Sequence, residues 1–383
     1  MKLGKIELEH LLAGAAFLGS GGGGSIKAGQ MFIDRIVKEG GVYITTKPPT
    51  GDGCVMADIG ANAAIEAGQV DALIRCFTVM DDYWHAVNST HLTCLYPIET
   101  GPENTLAPMV LGAIKGLPVF DGDGGGRTVP EVQLCSYASA GINVAPLAMA
   151  NEGKDAIIAF SANAADMDKM LRPMTAAPQF GNSASMALFP ANNKALAKAS
   201  VKGAISYALA VGQFLDALAN GKKSTKKIQK RVNERNACLI AYGEVSVVED
   251  EMEGAFDLGK VVIKDAMSQG LVTIYTQNEN IIAFSSTESA TMTVAPNSIC
   301  YLRADLQPIT NAEIKEGDKV WLMGVEATSE LTNPSVMEGF ATVLSGLGYG
   351  GLVGSLHAKL AWAPLGSVLF SLPKLETKLN PYL

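Results

Sequence analysis

Leu8, Leu11, Leu12 and Ala15 recur at three- and four-residue spacing, so residues 6–18 predict a helix with one apolar face. Four consecutive glycines, Gly21, Gly22, Gly23 and Gly24, interrupt the pattern. Ser25 is then placed to cap a second helix that stops at Gly40 or Gly41. Short apolar runs at 42–46 and 53–60 predict strands, and residues 70–87 a long helix. A buried strand follows at 91–98, a helix at 105–116 and a strand at 117–121. Strands alternating with helices predict an α/β module built on a mostly parallel sheet covered on both faces. A further strand is expected at 154–161, a helix over 162–174 ended by Pro173, and one long helix across 191–221.

After Gly221 the pattern changes. Residues 243–250, 259–266, 271–277, 281–287, 298–305 and 318–324 are short β-branched runs separated by Gly, Asp and Asn. They predict a β-rich C-terminal module, so the fold class is α/β plus α+β. The division is placed at 1–165 and 166–383, the second part helical at 196–238 and β-rich at 242–326. Between them lies a basic stretch with Lys222, Lys223, Lys226, Lys227, Lys230, Arg231 and Arg235. Without interleaved aromatics it predicts a solvated helix facing the acids Glu249, Asp250, Glu251 and Glu253, not a nucleic-acid surface.

With 48% hydrophobic residues the 383-residue chain can bury a large core, and its net charge of -8 disfavours nucleic acid and anionic lipid. Small-molecule chemistry is the expectation. No apolar run is long enough to span a membrane, Glu7, Glu9 and His10 argue against a secretory leader, and the six cysteines lack disulfide or zinc spacing. A cytoplasmic protein with reduced thiols is expected. The Gly/Ala-rich helix near residue 208 is compatible with a homo-oligomer.

Three strands of the first module end in polar loops: Asp58 in MADIGAN, Glu99 in YPIETGPEN and Asp121 in VFDGDGGGRTVPE. In open α/β sheets ligands bind outside the carboxyl ends of strands. If these strands are neighbours, Asp58, Glu99, Glu103, Asn104, Asp121 and Asp123 crowd one rim, suited to acid–base work or to a carboxylate-held divalent metal. Arg127 can bind a substrate oxygen bidentately. His85, His91 and Cys94 have poor spacing for a metal site. The glycine run lacks the lysine of a phosphate loop, so no nucleotide cofactor is expected. The start of the second helix still offers N–H groups to an anion.

The blocks LGSGGGGSIKAG, ENTLAPMVLGAIKGLPVFDGDGGGRTVPEVQL, GAISYALAVG and TQNENIIAF resemble the S-methyl-thiohydantoin desulfurase-like family, over most of the chain to about Gly324. Departures are Ser25-Ile26, where the family commonly has aspartate-proline, and the altered blocks IETGPEN and GGGRTVPE. The latter retain Glu99, Gly101, Asn104, Arg127, Pro130 and Glu131. The resemblance implies two modules and removal of sulfur from an S-methylated thiohydantoin ring. The resulting expectation is an enzyme adding water to a small cyclic amide or thioamide. Asp121, Asp123, Glu99, Arg127 and Glu131 are its catalytic candidates; Gly21, Gly22, Gly23, Gly24, Ser25 and Asn104 would contact substrate. The alternative is a non-catalytic metabolite-binding or accessory subunit of a hydantoinase-type system.

Overall fold

The computed structural model describes residues 1–60, 69–253 and 256–379. The first half contains β1 (Lys2–Leu3), α1 (Lys5–Leu18), α2 (Ile26–Lys38), β2 (Val42–Thr45), β3 (Asp52–Gly60), α3 (Val70–Asn88), β4 (Leu92–Pro97), α4 (Ala107–Lys115) and β5 (Val119–Phe120). Next come β6 (Gly122–Asp123), α5 (Ser136–Ser139), β7 (Leu147–Ala150), β8 (Ala156–Ala159), α6 (Ala164–Thr175) and β9 (Ser183–Asn192). Eight strands form one sheet in the order β1-β2-β5-β4-β3-β9-β7-β8. The strands β2, β5, β4 and β3 are parallel; β1 on one side and β9, β7 and β8 on the other are antiparallel additions.

Both faces of this sheet are buried, which is why β3 reads as an unbroken apolar run. Its Cys54 and Met56 join the core under α1 to α4, while Val55, Ala57 and Ile59 enter a second core with Leu134, Tyr137 and Phe340. All six cysteines are buried thiols.

The single long helix expected over 191–221 is three elements: α7 (Asn193–Ala199), β10 (Val201–Lys202) and α8 (Ala204–Ala219). Asn192 caps α7, residues 201–202 pair with β6, and Gly203 turns through φ +75° into α8. The preceding apolar run is β9, a strand that no alternation betrays. Pro173 does not end α6, which continues to Thr175; it sits in the last turn, where its missing N–H costs one bond near the exposed Lys169.

The basic stretch forms only the short helix α9 (Lys226–Val232), packed on α8. Among the described residues no ion pair joins it to Glu249, Asp250 or Glu251, which it was expected to face. Glu249 pairs with Lys260 on the adjacent strand, and Arg231 with Glu234. The remaining elements are β11 (Asn236–Glu253), β12 (Phe256–Asp265), β13 (Gly270–Gln277), β14 (Glu279–Ser285), β15 (Ala290–Val294), β16 (Ser298–Arg303), β17 (Pro308–Ile309) and β18 (Lys319–Val325). They are followed by α10 (Pro334–Gly346), β19 (Ala363–Pro364) and α11 (Leu365–Leu379). The strands from β11 onward make an antiparallel nine-stranded sheet. Bulges at 239/241 and 245/247 let the 18-residue β11 bend.

The two parts are joined by more than a linker. α8 lies against α1, with no room for a side chain where Gly14 and Gly212 meet the facing backbone. The Gly/Ala-rich face of α8 is thus used within the chain. Among the described residues no helix is long and apolar enough to cross a membrane.

Candidate active site

Because β5, β4 and β3 are neighbours, their carboxyl ends converge as the loops require, and a cleft of about 620 Å³, counted with its open mouth, lies beside them. Asp58 enters from the end of β3, Glu99 from just beyond β4, and Glu103 from the turn before α4. Glu279, which begins β14, closes the cleft from the second sheet. All four are at most 7% exposed. Gly23, Gly24, Asn104, Glu131 and Arg172 complete its polar lining.

Asn104 ties the two strand ends together. Its Nδ2 donates to Glu99 Oε1 at 2.6 Å, and its Oδ1 accepts from the Asp58 N–H at 2.7 Å. The Val129 N–H donates to the other Glu99 oxygen at 2.7 Å. Both Glu99 oxygens are therefore satisfied, yet burial lifts this carboxyl to about 7 against those hydrogen bonds. Asp58 also rises to about 7 through burial, opposed by the hydroxyl that Ser185 donates to its Oδ1. Its Oδ2 has no partner, nor has either oxygen of Glu103, nor Oε2 of Glu279. Glu103 is pushed well above the ordinary carboxylate range by burial and then by the Asp58 charge. Glu279 is raised by burial and then by Glu99.

The glycine run makes this crowding possible. A Cβ on Gly22 would come within 2.5 Å of Glu279 Cγ, and one on Gly24 would overlap Glu103. Gly24 also has φ +90°, open to glycine and strained for other residues. The loop joins both halves of the chain. The Glu103 N–H donates to Gly23 O, the Asn280 N–H to Ser20 O and the Asn311 N–H to Gly21 O. Gly23 and Gly24 face the cleft; Gly21 packs on Asn280 and Asn311. Ser25 caps α2 by accepting from the Ala28 N–H, and the Ile26 N–H donates to Glu313. The anion expected at this helix start is the protein's own carboxylate.

Asp121, Asp123 and Arg127 lie outside the cleft. Asp121 accepts from the N–H and hydroxyl of Ser206, in the first turn of α8. Asp123 accepts from the N–H groups of Gly125 and Gly126 and from the Thr100 hydroxyl, holding its own turn, and burial raises it to about 6. Arg127 is fully buried beneath the cleft. It donates to the carbonyls of Thr128, Pro296 and Asn297 at 2.7–3.1 Å, with burial lowering it to about 10. That geometry is a clamp between the two halves, with the guanidinium fork spent on backbone. Glu131 is a half-buried wall residue that accepts from Gln133 and Gln277; burial, then Asp168, raises it.

His85 and His91 stack at 4.1 Å on the surface, with His91 on Asp81, and Cys94 is buried apart from them. Among the described residues no group of three or more His, Cys, Asp or Glu side chains is arranged to hold a metal ion.

The profiles of the S-Me-THD-like N-terminal and C-terminal domains match residues 6–161 and 162–344. The chain belongs to the S-methyl-thiohydantoin desulfurase-like family. A crystal structure of a protein from Chromobacterium violaceum is similar to it, with 25% identity over 92% of this chain and 99% of that one, at a TM-score of 0.80. No curated protein gives a significant match. Within the family's blocks, Glu279 lies in TQNENIIAF, whose polar pair between apolar strands was the available signal for an acid the sequence reading passed over. Arg172 carried no such signal; it reaches the rim only because α6 packs there with Asp168.

Proposed function

We propose that this cleft hydrolyses a small thiohydantoin-like ring, water attacking the ring carbon that bears sulfur. The observation that carries the reading is the facing pair Asp58 and Glu103, buried together with open oxygens at the carboxyl ends of parallel strands. Like charges so close cannot both ionise cheaply, so one carboxyl stays protonated while the other can accept a proton near neutrality. Asp58 Oδ2 takes a proton from water as the new C–O bond forms. The C–S bond breaks, and the sulfur leaves as a thiol with the proton of Glu103. The second water proton passes to ring nitrogen as the carbonyl forms, and transfer from Asp58 to Glu103 resets the pair. Glu99, fixed by Asn104 and Val129, positions the ring, and Gly23 and Gly24 let it approach the loop backbone. Family membership supports the sulfur chemistry.

The test is incubation of the purified protein with S-methylated thiohydantoin, thiohydantoin and hydantoin. Thiol release is followed with a thiol-reactive chromophore and the ring product by mass. Thiol release from the S-methylated ring that is lost in Glu103→Gln is the expected result. No product from any ring would overturn the reading.

A further inference from the structure

The polar edge of the cleft is one-sided. Four buried oxygens of its lining make no close hydrogen bond to a donor of the chain, Asp58 Oδ2, both Glu103 oxygens and Glu279 Oε2, although Asp58 and Glu103 lie near enough to share a proton. Glu103 is 1% exposed and Glu279 4%, so water cannot freely solvate them. They come from three separate places in the chain, the end of β3, the turn before α4 and the start of β14, and Gly22 and Gly24 are bare so that two of them fit. Three side-chain donors nearby have partners of their own. Asn104 serves Glu99, Arg172 serves Asp168 and the Pro130 carbonyl, and Arg127 serves backbone carbonyls. Buried acceptors grouped in this way are complete only when a ligand brings the donors.

We infer that the ligand of this cleft is a cation whose charge is spread over ring N–H donors, a protonated cyclic amidine or guanidine-like ring, with Asp58, Glu103 and Glu279 reading its charge. A delocalised planar cation matches carboxylates from several directions at once, which a point charge does not. A neutral ring can also be held, its N–H groups donating to the same oxygens without the charge attraction. A glutamine in place of glutamate keeps an acceptor oxygen for that and loses only the charge. The two cases therefore separate on substitution. The inference rests on the ring-binding reading above but concerns charge selection alone.

The experiment uses two five-membered rings of one shape. 2-Aminoimidazoline is a cyclic guanidinium, charged throughout the neutral range, and imidazolidin-2-one is its neutral counterpart. Calorimetry on the full chain at neutral pH is expected to show the cation binding about tenfold or more tighter than the neutral ring. Glu103→Gln and Glu279→Gln should each erase most of that preference, with unchanged circular dichroism. Equal or tighter binding of the neutral ring overturns the inference, as does no cation binding at millimolar concentration. So does displacement of the cation by micromolar Mg²⁺, Mn²⁺ or Zn²⁺ alone, which would assign the oxygens to a metal. Cation-selective binding without turnover removes the hydrolytic reading and leaves charge selection standing. Turnover with neutral-selective binding does the reverse.

Discussion

Asp58 holds its proton far more tightly in the folded chain than in the unfolded one, so it should make stability fall as pH rises. Its carboxyl is 7% exposed and accepts the Ser185 hydroxyl on Oδ1, with Glu103 beside it; burial lifts it from 3.8 to about 7. A raised folded value means that its contribution is fully present below about pH 3.8 and is lost as pH climbs through about 7. At ~1.4 kcal/mol per pH unit separating the two values, the whole loss is on the order of 4 kcal/mol, of which about half falls between about pH 5 and pH 8. Glu99, at about 7, and Asp123, at about 6, act in the same direction. The assay is urea unfolding of the wild type and of Asp58→Asn at intervals over that range. Wild-type stability should decline towards the alkaline end, and the substitution should remove about 2–3 kcal/mol of the decline, since an amide has no proton to lose. Parallel curves for the two proteins, or stability that rises with pH, would refute the reasoning.

Three further outcomes follow from the same geometry. Glu103→Gln should lower turnover by about 10²–10⁴-fold, the usual worth of a positioned acid. Unfolding should show no loss of stability, because an amide sits more easily than an unpartnered carboxyl. Thiol release at the wild-type rate would remove Glu103 from the chemistry. Gly24→Ala combines the strain of φ +90° with overlap against Glu103 and should cost about 2–4 kcal/mol together with activity. Gly40→Ala is its control: φ is +87° with nothing within 4 Å, so calorimetric melting should show about 1–2 kcal/mol of strain and kinetics no change. Arg127→Met strands buried carbonyls at Thr128, Pro296 and Asn297 and should cost about 3–5 kcal/mol in urea unfolding, which Arg127→Lys does not restore. A stable Arg127→Met protein that has merely lost ring affinity would instead return Arg127 to the cleft.

The local pattern was enough to mark the helices flanking the glycine run, the β-rich second half and the strand ends that carry Asp58 and Glu99. Apolar spacing and turn residues act over a few positions, and no distant contact overrode them there. Which acids point into the cleft is a different kind of fact. Asp121 and Asp123 stand in the most acid- and glycine-rich loop, yet Ser206, from 85 residues away, takes the first, and the loop's own N–H groups with Thr100 take the second. Arg127 reads as a substrate fork until the carbonyls of residues 296 and 297 arrive from the second sheet to fill it. Glu279 becomes part of the site only because β14 is carried against the glycine loop. The sequence by itself determined the element types outside residues 183–203, the strand-end acids and the close backbone approach at Gly21–Gly24. Tertiary structure alone decided which buried oxygens are satisfied within the chain and which remain open, because their partners lie far away in sequence, 279 residues for Ile299 N–H on the Ser20 hydroxyl, and only packing brings them into hydrogen-bond range.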